Sequence, residues 1–201
     1  MTDTIIDLIR HGAPVGGRAY RGHNIDDPLS ETGWQQMWNA IGDRAPWDHI
    51  ITSPLQRCQA FAEALMETYN IPVTTEENLK EVGFGCWEGR TPDEIKAENL
   101  KEYEDFYRDP VNLRPKGAEP LDQFIQRVTT ALENSVIQYH GKHILIVAHA
   151  GVNRAIIAHA LHTAPIGLYR IKVNNAGISR LLYDQHGYHL LHHNVQLADM
   201  S

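Results

Sequence analysis

The chain has few cysteines and no long hydrophobic run, and each absence excludes a class of protein. Its two cysteines, Cys58 and Cys86, lack CxxC spacing, so we expect free thiols in a reducing compartment, with a single disulfide as the alternative. No apolar run approaches the ~18 residues of a membrane-spanning helix, and the N-terminal segment lacks the basic start of a signal peptide. These features predict a cytoplasmic protein that does not bind membranes.

Positive charge is also scarce. The 201 residues include 18 Lys and Arg against 25 Asp and Glu, which gives a formal net charge of −7. An acidic chain is a poor candidate for binding nucleic acid or an anionic lipid surface. If this protein binds phosphate, its positive charge must therefore be concentrated in a pocket. Repeats, low-complexity tracts and long linkers are absent from the sequence, which predicts one domain over residues 1–201.

Two apolar runs each end on a histidine that is followed within two residues by glycine. They are IIDLIRHG (residues 5–12) and ILIVAHAG (residues 144–151). Short β-branched runs of this kind are typical of buried strands in a parallel sheet, and α/β sheets bind ligands beyond the carboxyl ends of such strands. We therefore expect His11 and His149 to meet in one crevice beside Arg10, in an arrangement suited to an anion such as phosphate.

The remaining pattern alternates strands with helices. A strand is predicted at residues 49–52, and two short strands at residues 178–183 and 188–193. This order predicts an α/β fold, a three-layer α/β/α sandwich whose mostly parallel central sheet has an antiparallel C-terminal edge. Residues 83–117 are irregular apart from one helix, and we interpret them as an inserted lid.

Four helices can be placed by apolar periodicity and by their expected start signals. Ser30 is predicted to cap the first, in which Trp34 and Trp38 are expected to face the core. Ser53 is predicted to cap the second, with Pro54 at its first helical position. The third begins near Leu121, and the fourth spans residues 152–161.

Phosphoryl transfer needs a nucleophile, positive charge on the phosphoryl oxygens and a proton for the leaving oxygen. His11 is the candidate nucleophile, since neutral imidazole forms a covalent phosphoenzyme. Arg10 and Arg57 are candidate clamps, because arginine binds phosphate bidentately and keeps its charge, and His149 is a second imidazole donor. For the acid, the residues alone leave Glu81 and Glu88 open.

Five segments in order carry a family resemblance. They are LIRHG (residues 8–12), PLSETG (residues 28–33), TSPLQRC (residues 52–58), LKEVGFGCWEG (residues 79–89) and VAHAGV (residues 147–152). Together they resemble the motifs of the histidine phosphatase superfamily, whose members include cofactor-dependent phosphoglycerate mutases. The acid-bearing block is similar to that of the small phosphatase branch.

The resemblance implies a role for each candidate. His11 would be phosphorylated, and Arg10, Arg57 and His149 would hold the phosphoryl oxygens. Glu81 would be the general acid, which leaves Glu88 a structural part. The family pattern calls for no metal and no cofactor, and the implied partner is a small-molecule phosphate ester.

The chain departs from the family pattern in the loop after the nucleophile. The usual asparagine contact to phosphate is absent, and a glycine-rich run with Arg18, Tyr20 and Arg21 stands in its place. We expect these three side chains to bind substrate, or to be a solvated surface loop. The backbone N–H of Ala150, at the start of a helix, is a further candidate donor. The Gly-Glu-Ser element of the family is displaced and lacks its serine, so Glu119 has no assigned role.

Twelve histidines raise the question of a metal site. His186, His189, His192 and His193 cluster near the C-terminus, and strand alternation predicts His189 and His193 on one face with His192 on the other. No carboxylate or cysteine completes a zinc shell in that stretch. We therefore interpret these histidines as part of an edge hairpin and expect no metal.

The sequence thus predicts a phosphomonoesterase that acts through phosphohistidine. The stretch from Arg10 to Met37 most resembles the α-ribazole phosphatase group, which implies α-ribazole 5'-phosphate, an intermediate of cobalamin assembly, as the substrate. A phosphoglycerate mutase and a broad-specificity phosphatase are the enzymatic alternatives. A non-catalytic module that binds phospho-ligands is a third, against which the intact set of candidate residues argues. The sequence does not indicate an oligomeric state.

Overall fold

A six-stranded mixed sheet forms the centre of the molecule, and the computed structural model describes residues 3–200 of the chain. The strands are β1 (Thr4–Arg10), β2 (His49–Thr52), β3 (Val73–Thr75), β4 (His143–Ala148), β5 (Ile178–Asp184) and β6 (Gly187–Val195). Their order across the sheet is β3-β2-β4-β1-β5-β6. The first four are parallel, whereas β5 and β6 are antiparallel. This topology confirms the predicted sheet and its antiparallel C-terminal edge.

Helices cover both faces of the sheet. They are α1 (Glu31–Ile41), α2 (Gln56–Tyr69), α3 (Pro92–Arg108), α4 (Leu121–Gln138) and α5 (Ala150–Ala160). Strand β1 shows why there are two helical layers, because its side chains alternate between faces. Ile9 belongs to a core cluster with α1 and α2, while Ile6 and Leu8 belong to a cluster with α3, α4 and α5. The three-layer prediction is thereby confirmed.

The start of α1 follows the prediction, but the start of α2 does not. The Ser30 hydroxyl accepts the Gly33 N–H at 3.0 Å, as an N-cap should. Helix α2 begins at Gln56, and Leu55 at its N-cap position makes no side-chain cap. The predicted cap at Ser53 and the predicted helical position of Pro54 are therefore wrong. Residues 54 and 55 form a bend before the helix, in which the Ser53 hydroxyl accepts the Leu55 N–H at 3.3 Å and also contacts His149 Nε2 at 2.7 Å.

Two further details near the sheet differ from the prediction. Helix α5 starts at Ala150, two residues earlier than expected, directly after His149. In β6 a bulge shifts the register so that His189 pairs with Leu182 and His192 with Arg180. Those partners are two residues apart on β5, so His192 shares a face with His189. The predicted grouping of His189 with His193 is wrong, because it assumed an unbroken strand.

Residues 83–117, the predicted lid, are packed onto the core. They contain a short 3₁₀ turn at Gly85–Trp87 and helix α3. Thr91 and Glu94 form a capping box at the N-terminus of α3, and Asn99 inside it has a non-helical conformation. Trp87 and Phe106 of this segment are almost completely buried. The role of the segment as a lid stays a prediction.

Within residues 3–200, no helix combines the length and the apolar character needed to cross a bilayer.

Candidate active site

A cavity of about 560 Å³ lies where β1, β4 and the start of α2 converge. Its wall includes the candidate catalytic residues Arg10, His11, Arg57 and Glu81, the loop residues Arg18, Tyr20 and Arg21, and Ala150 at the start of α5. The position is the carboxyl edge of the parallel strands, where the sequence analysis placed it. All but one of the predicted site residues therefore line a single cavity, and the exception is His149.

His11 directly follows β1 and is buried, with 6% of its surface exposed. Its Nδ1 lies 2.8 Å from the Gly12 carbonyl oxygen. Because a carbonyl only accepts, Nδ1 carries the proton in the neutral ring and Nε2 keeps a free lone pair. Burial lowers the pKa of His11 well below its usual range, and the charges of Arg10 and Arg57 lower it further. The geometry therefore holds a neutral imidazole with an available nitrogen.

Arg10 and Arg57 are held mainly by backbone carbonyls, and Arg57 also lies 3.7 Å from the exposed carboxylate of Asp26. Arg10 donates to the Val173 carbonyl at 2.8 Å, while Arg57 donates to the Ile25 and Gly22 carbonyls, each at 3.0 Å. The Nε atoms of both arginines are buried without a hydrogen-bond partner among the described residues. Burial lowers the pKa of Arg10 to about 10. Both guanidinium groups are therefore fixed in direction, and among the described residues only Arg57 has a carboxylate within 4 Å.

Gly22, which accepts one of the Arg57 hydrogen bonds, has a conformation that favours glycine. Its φ is +56°, and a Cβ built on it would lie 1.9 Å from a carboxylate oxygen of Glu88. That Glu88 carboxylate in turn accepts the Phe84 N–H at 2.9 Å. Glu88 is therefore packed into the turn that supports the site, and its structural role stays a prediction.

His149 lies beside His11 but is fully buried behind it. The two rings are 5.2 Å apart between centroids, and His149 has no exposed surface. Its Nε2 is 2.7 Å from the Ser53 hydroxyl, and the Cys58 Sγ lies 3.6 Å from the same nitrogen. Burial lowers the pKa of His149 well below its usual range, with Arg57 and His11 contributing. The sequence analysis did not foresee the contacts of Ser53 and Cys58 with this ring.

Glu81 is held at the cavity wall by backbone donors. Its Oε1 accepts the Val82 N–H at 2.9 Å and the Gly151 N–H at 3.1 Å. A Cβ on Gly151 would lie 2.2 Å from the same oxygen, so glycine is required for this close approach. The candidate acid is thus fixed to the start of α5, next to His149.

The loop that bears Glu81 is braced by an ion pair. Arg127 donates to both carboxylate oxygens of Glu119, at 2.7 and 2.9 Å, and to the Glu81 carbonyl at 3.2 Å. Glu119 also accepts the Gly83 N–H at 3.0 Å. Although burial acts to raise the pKa of Glu119, its bonds to Arg127 and Gly83 prevail and lower it. Glu119, which had no role from the sequence, therefore supports the acid-bearing loop.

The three loop residues differ in how free they are. Arg21 donates to the Asp27 carboxylate at 2.8 Å and to the Val15 carbonyl at 2.6 Å, so it braces its own loop. The Tyr20 hydroxyl is 2.7 Å from that of Tyr107 on α3. Arg18 is exposed, and no hydrogen bond joins its side chain to the described residues. Of the two arginines, only Arg18 has an unengaged guanidinium, and substrate binding by the loop stays a prediction.

Four polar side chains of the cavity wall were missed in the sequence. They are Gln36, Tyr107, Arg154 and Asn175. Arg154 had a usable signal, since it lies one helical turn after Ala150 and so shares its face of α5. Gln36, Tyr107 and Asn175 come from separate segments that only the fold brings together.

The charge of the cavity wall is strongly one-sided. Five arginines line it, and Glu81 is its only acid among the described residues. Because the whole chain is acidic, this is the local concentration of positive charge that phosphate binding requires. The same portion of the chain, residues 3–200, contains no group of three or more His, Cys, Asp or Glu side chains that could hold a metal ion.

Comparisons with known proteins identify the family of this chain. The model of the histidine phosphatase superfamily, branch 1, matches residues 6–196. An adenosylcobalamin/alpha-ribazole phosphatase of Salmonella typhimurium is 30% identical over 171 residues, which cover 83% of this chain and 84% of that protein. The crystal structure of Bacillus stearothermophilus YhfR superposes with a TM-score of 0.85 at 26% identity, covering 94% of this chain and 96% of that one.

A second group of relatives is longer. A bifunctional protein of Mycobacterium tuberculosis is 29% identical over 182 residues, or 89% of this chain. The match covers 50% of that protein, so the chain spans about half the length of these mycobacterial relatives. The family model nevertheless covers nearly all of the present sequence, and the predicted resemblance is confirmed. The chain belongs to the histidine phosphatase superfamily.

Proposed function

We propose that this protein hydrolyses phosphate monoesters through a phosphohistidine at His11. The observation that carries the proposal is the state of the His11 ring. Its Nδ1 is bound to the Gly12 carbonyl, which leaves the Nε2 lone pair free in an arginine-lined cavity. A neutral, oriented imidazole beside uncompensated positive charge is what nucleophilic attack on a phosphoryl group needs.

In the first step, the Nε2 lone pair of His11 forms a bond to phosphorus as the bond from phosphorus to the leaving oxygen breaks. Arg10 and Arg57 bind the phosphoryl oxygens and neutralise the charge that develops on them. His149 packs against the His11 ring, and Glu81 protonates the leaving oxygen. The alcohol departs, and the phosphoryl group stays on His11.

In the second step, water attacks the phosphohistidine. Glu81, now a carboxylate, accepts a proton from the water as its oxygen bonds to phosphorus. The bond between phosphorus and Nε2 breaks, which returns the electron pair to the imidazole and releases inorganic phosphate. The low pKa of His11 favours this cycle, because the free ring returns to its neutral, nucleophilic form.

For the substrate, we propose α-ribazole 5'-phosphate. The relative from Salmonella typhimurium, whose name specifies that activity, supports the assignment at 30% identity. The cavity also supports it, because Tyr20, Phe84 and Tyr107 line its wall and suit a leaving group that contains a planar ring.

The test is phosphate release from a panel of esters. We expect turnover of α-ribazole 5'-phosphate with a higher kcat/KM than of 3-phosphoglycerate or p-nitrophenyl phosphate. Comparable values for all three would assign a broad-specificity phosphatase. Conversion of 3-phosphoglycerate to its isomer only in the presence of 2,3-bisphosphoglycerate, without phosphate release, would assign a mutase and overturn the proposal.

We further propose that catalysis needs no metal, since arginines and histidines supply the charge stabilisation that a bound cation gives in other phosphatases. Exhaustive treatment with EDTA should leave phosphate release unchanged. A loss of activity that added Zn²⁺ restores would contradict this and direct attention to the histidines of the C-terminal hairpin.

A further inference from the structure

We infer that Arg154 is a third arginine ligand of the substrate's phosphoryl group, acting beside Arg10. The inference rests on the proposed function, which it extends by a residue outside the predicted catalytic set. Arg154 is on α5, one helical turn after Ala150, and its side chain lines the same cavity as Arg10 and His11. Both arginines are therefore accessible to one bound anion.

The guanidinium of Arg154 is held in place from one side only. Its Nε donates to the Ile171 carbonyl at 2.8 Å, and its central carbon lies 5.6 Å from the centre of the Tyr169 ring. Within residues 3–200, neither terminal nitrogen has a hydrogen bond or an acidic partner. The group is thus oriented by the protein, while the two donors best suited to an anion are left free.

Arg10 and Arg154 are aligned by the same short segment of chain. Arg10 donates to the Val173 carbonyl and Arg154 to the Ile171 carbonyl, so their anchors are two residues apart. The two positive charges are close enough for Arg154 to lower the pKa of Arg10. Like charges held together cost free energy unless an anion is bound between them. A phosphoryl group at His11 supplies that anion.

The alternative is that Arg154 contacts only the leaving group. The two possibilities differ in a simple probe, because inorganic phosphate has no leaving group. A ligand of the phosphoryl group contributes to the binding of phosphate itself, whereas a contact to the leaving alcohol does not.

The experiment is titration of the protein with inorganic phosphate by calorimetry, with Arg154→Met as the principal variant. Methionine retains an apolar stem over Tyr169 and removes the guanidinium. The matched control is Arg170→Met, which removes one positive charge from an exposed position nearby that does not line the cavity. We expect Arg154→Met to weaken phosphate binding by about 10- to 100-fold, as for loss of a charge-assisted hydrogen bond, and Arg170→Met to leave it unchanged.

Phosphate binding within twofold of wild type in Arg154→Met would overturn the inference. So would a rise in KM confined to α-ribazole 5'-phosphate, with the phosphate inhibition constant unchanged. Arg154→Lys, which keeps the charge but not the planar fork, should give an intermediate loss. If both variants unfold, the assigned arginine side-chain nitrogen resonances of the wild type decide: phosphate must perturb those of Arg154 together with those of Arg10 and Arg57.

Because calorimetry does not require turnover, the outcome is independent of catalysis. Wild-type protein that binds phosphate but releases none from any ester would refute the proposed function, while the Arg154 comparison would still stand or fall by its own result.

Discussion

Strand β1 carries two charged side chains three residues apart, one fully buried and one partly buried, and their surroundings are opposite in kind. Asp7, in the middle of the strand, is fully buried and completely satisfied. Arg180 donates two hydrogen bonds to it at 2.8 and 2.9 Å, and Trp47 and His143 each contribute one at 2.8 Å. Burial by itself would raise the pKa of Asp7, but the bonds to Arg180 and His143 prevail and lower it.

Arg10, at the end of the same strand, has no comparable partner. One carbonyl oxygen accepts from it, and its Nε is buried without a bond among the described residues. Its charged neighbours are three other arginines and one acid, Glu81, whose charge raises the pKa of Arg10 less than burial lowers it. A buried charge that has its own counter-charges therefore stabilises the fold, whereas a charge at a strand end with few counter-charges is suited to bind a ligand of opposite charge.

The largest expected effect comes from removing the nucleophile of the arginine-lined cavity. His11→Ala should lower turnover by roughly 10⁴-fold or more, because no other group forms the covalent intermediate. Acid quenching of wild type with labelled substrate should trap an acid-labile, base-stable phosphate that the variant lacks. The melting temperature should stay near that of wild type. Near-normal turnover in His11→Ala would refute the mechanism.

The next test concerns the acid. Glu81→Gln should lower turnover of alkyl phosphates by about 10²- to 10⁴-fold, because their poor leaving groups need a proton. The loss should be far smaller on p-nitrophenyl phosphate, whose leaving group needs little help. Equal losses on both esters would indicate that Glu81 has only a structural role, and the same measurement on Glu88→Gln would then identify the acid.

A substitution in the cluster around Asp7 should lower the stability of the protein and leave its turnover unchanged. Asp7→Asn leaves Arg180 without its counter-charge, so the free energy of unfolding should fall by about 3–5 kcal/mol. Turnover measured well below the melting temperature should be nearly unchanged. Glu98→Gln, which breaks an exposed ion pair with Arg90, is the control and should have little effect. An unchanged free energy of unfolding in Asp7→Asn would mean that the cluster does not stabilise the fold.

The two regions should also lose stability in different pH windows. Since the pKa of His11 is lowered from 6.5 in the folded chain, the unfolded chain binds the proton first as pH falls. Stability should therefore decrease below pH 6.5, by at most about 1.4 kcal/mol per pH unit for each such histidine. The pKa of Asp7 is lowered from 3.8, so its contribution is present above that value and is lost only as pH falls further, through the folded-state pKa.

Urea unfolding of the wild type and of His11→Asn between pH 4.5 and 7.5 measures the first window. The variant should show a shallower dependence of unfolding free energy on pH. An identical slope in both proteins would show that His11 is protonated as easily in the folded state as in the unfolded one.

The smallest effect concerns the backbone next to the site. Ala176 has a φ of +55°, and its N–H donates to the Arg10 carbonyl at 3.0 Å. The left-handed conformation costs alanine about 1–2 kcal/mol. Glycine avoids this cost but loses more conformational entropy on folding, which offsets part of the gain. Ala176→Gly should therefore raise the free energy of unfolding by about 0.5 kcal/mol. A clear loss of stability would mean that packing of the buried methyl group outweighs the strain.

Much of the fold could be read from local patterns. The apolar runs before His11 and His149 predicted two buried parallel strands, and Ser30 predicted the start of α1, because period and capping are properties of neighbouring residues. Where a side chain had a distant partner, the local pattern failed. Ser53 has the form of a helix cap, yet it contacts a histidine 96 residues away in sequence. Strand β3, only three residues long, was too short to show a pattern.

The sequence alone shows which reactive groups this chain contains. They are the histidines that end two strands and the arginine after β2, and the ordered motifs around them indicate the family of the chain. Only the tertiary structure decided which charges are compensated. Asp7, Arg180 and His143 are scattered in sequence and satisfy one another, whereas the arginines Arg10, Arg57 and Arg154 converge with fewer acids than positive charges around them. The physical reason is that solvation and pairing of a charge depend on every group within a few ångströms, and those groups come from segments that only folding brings together.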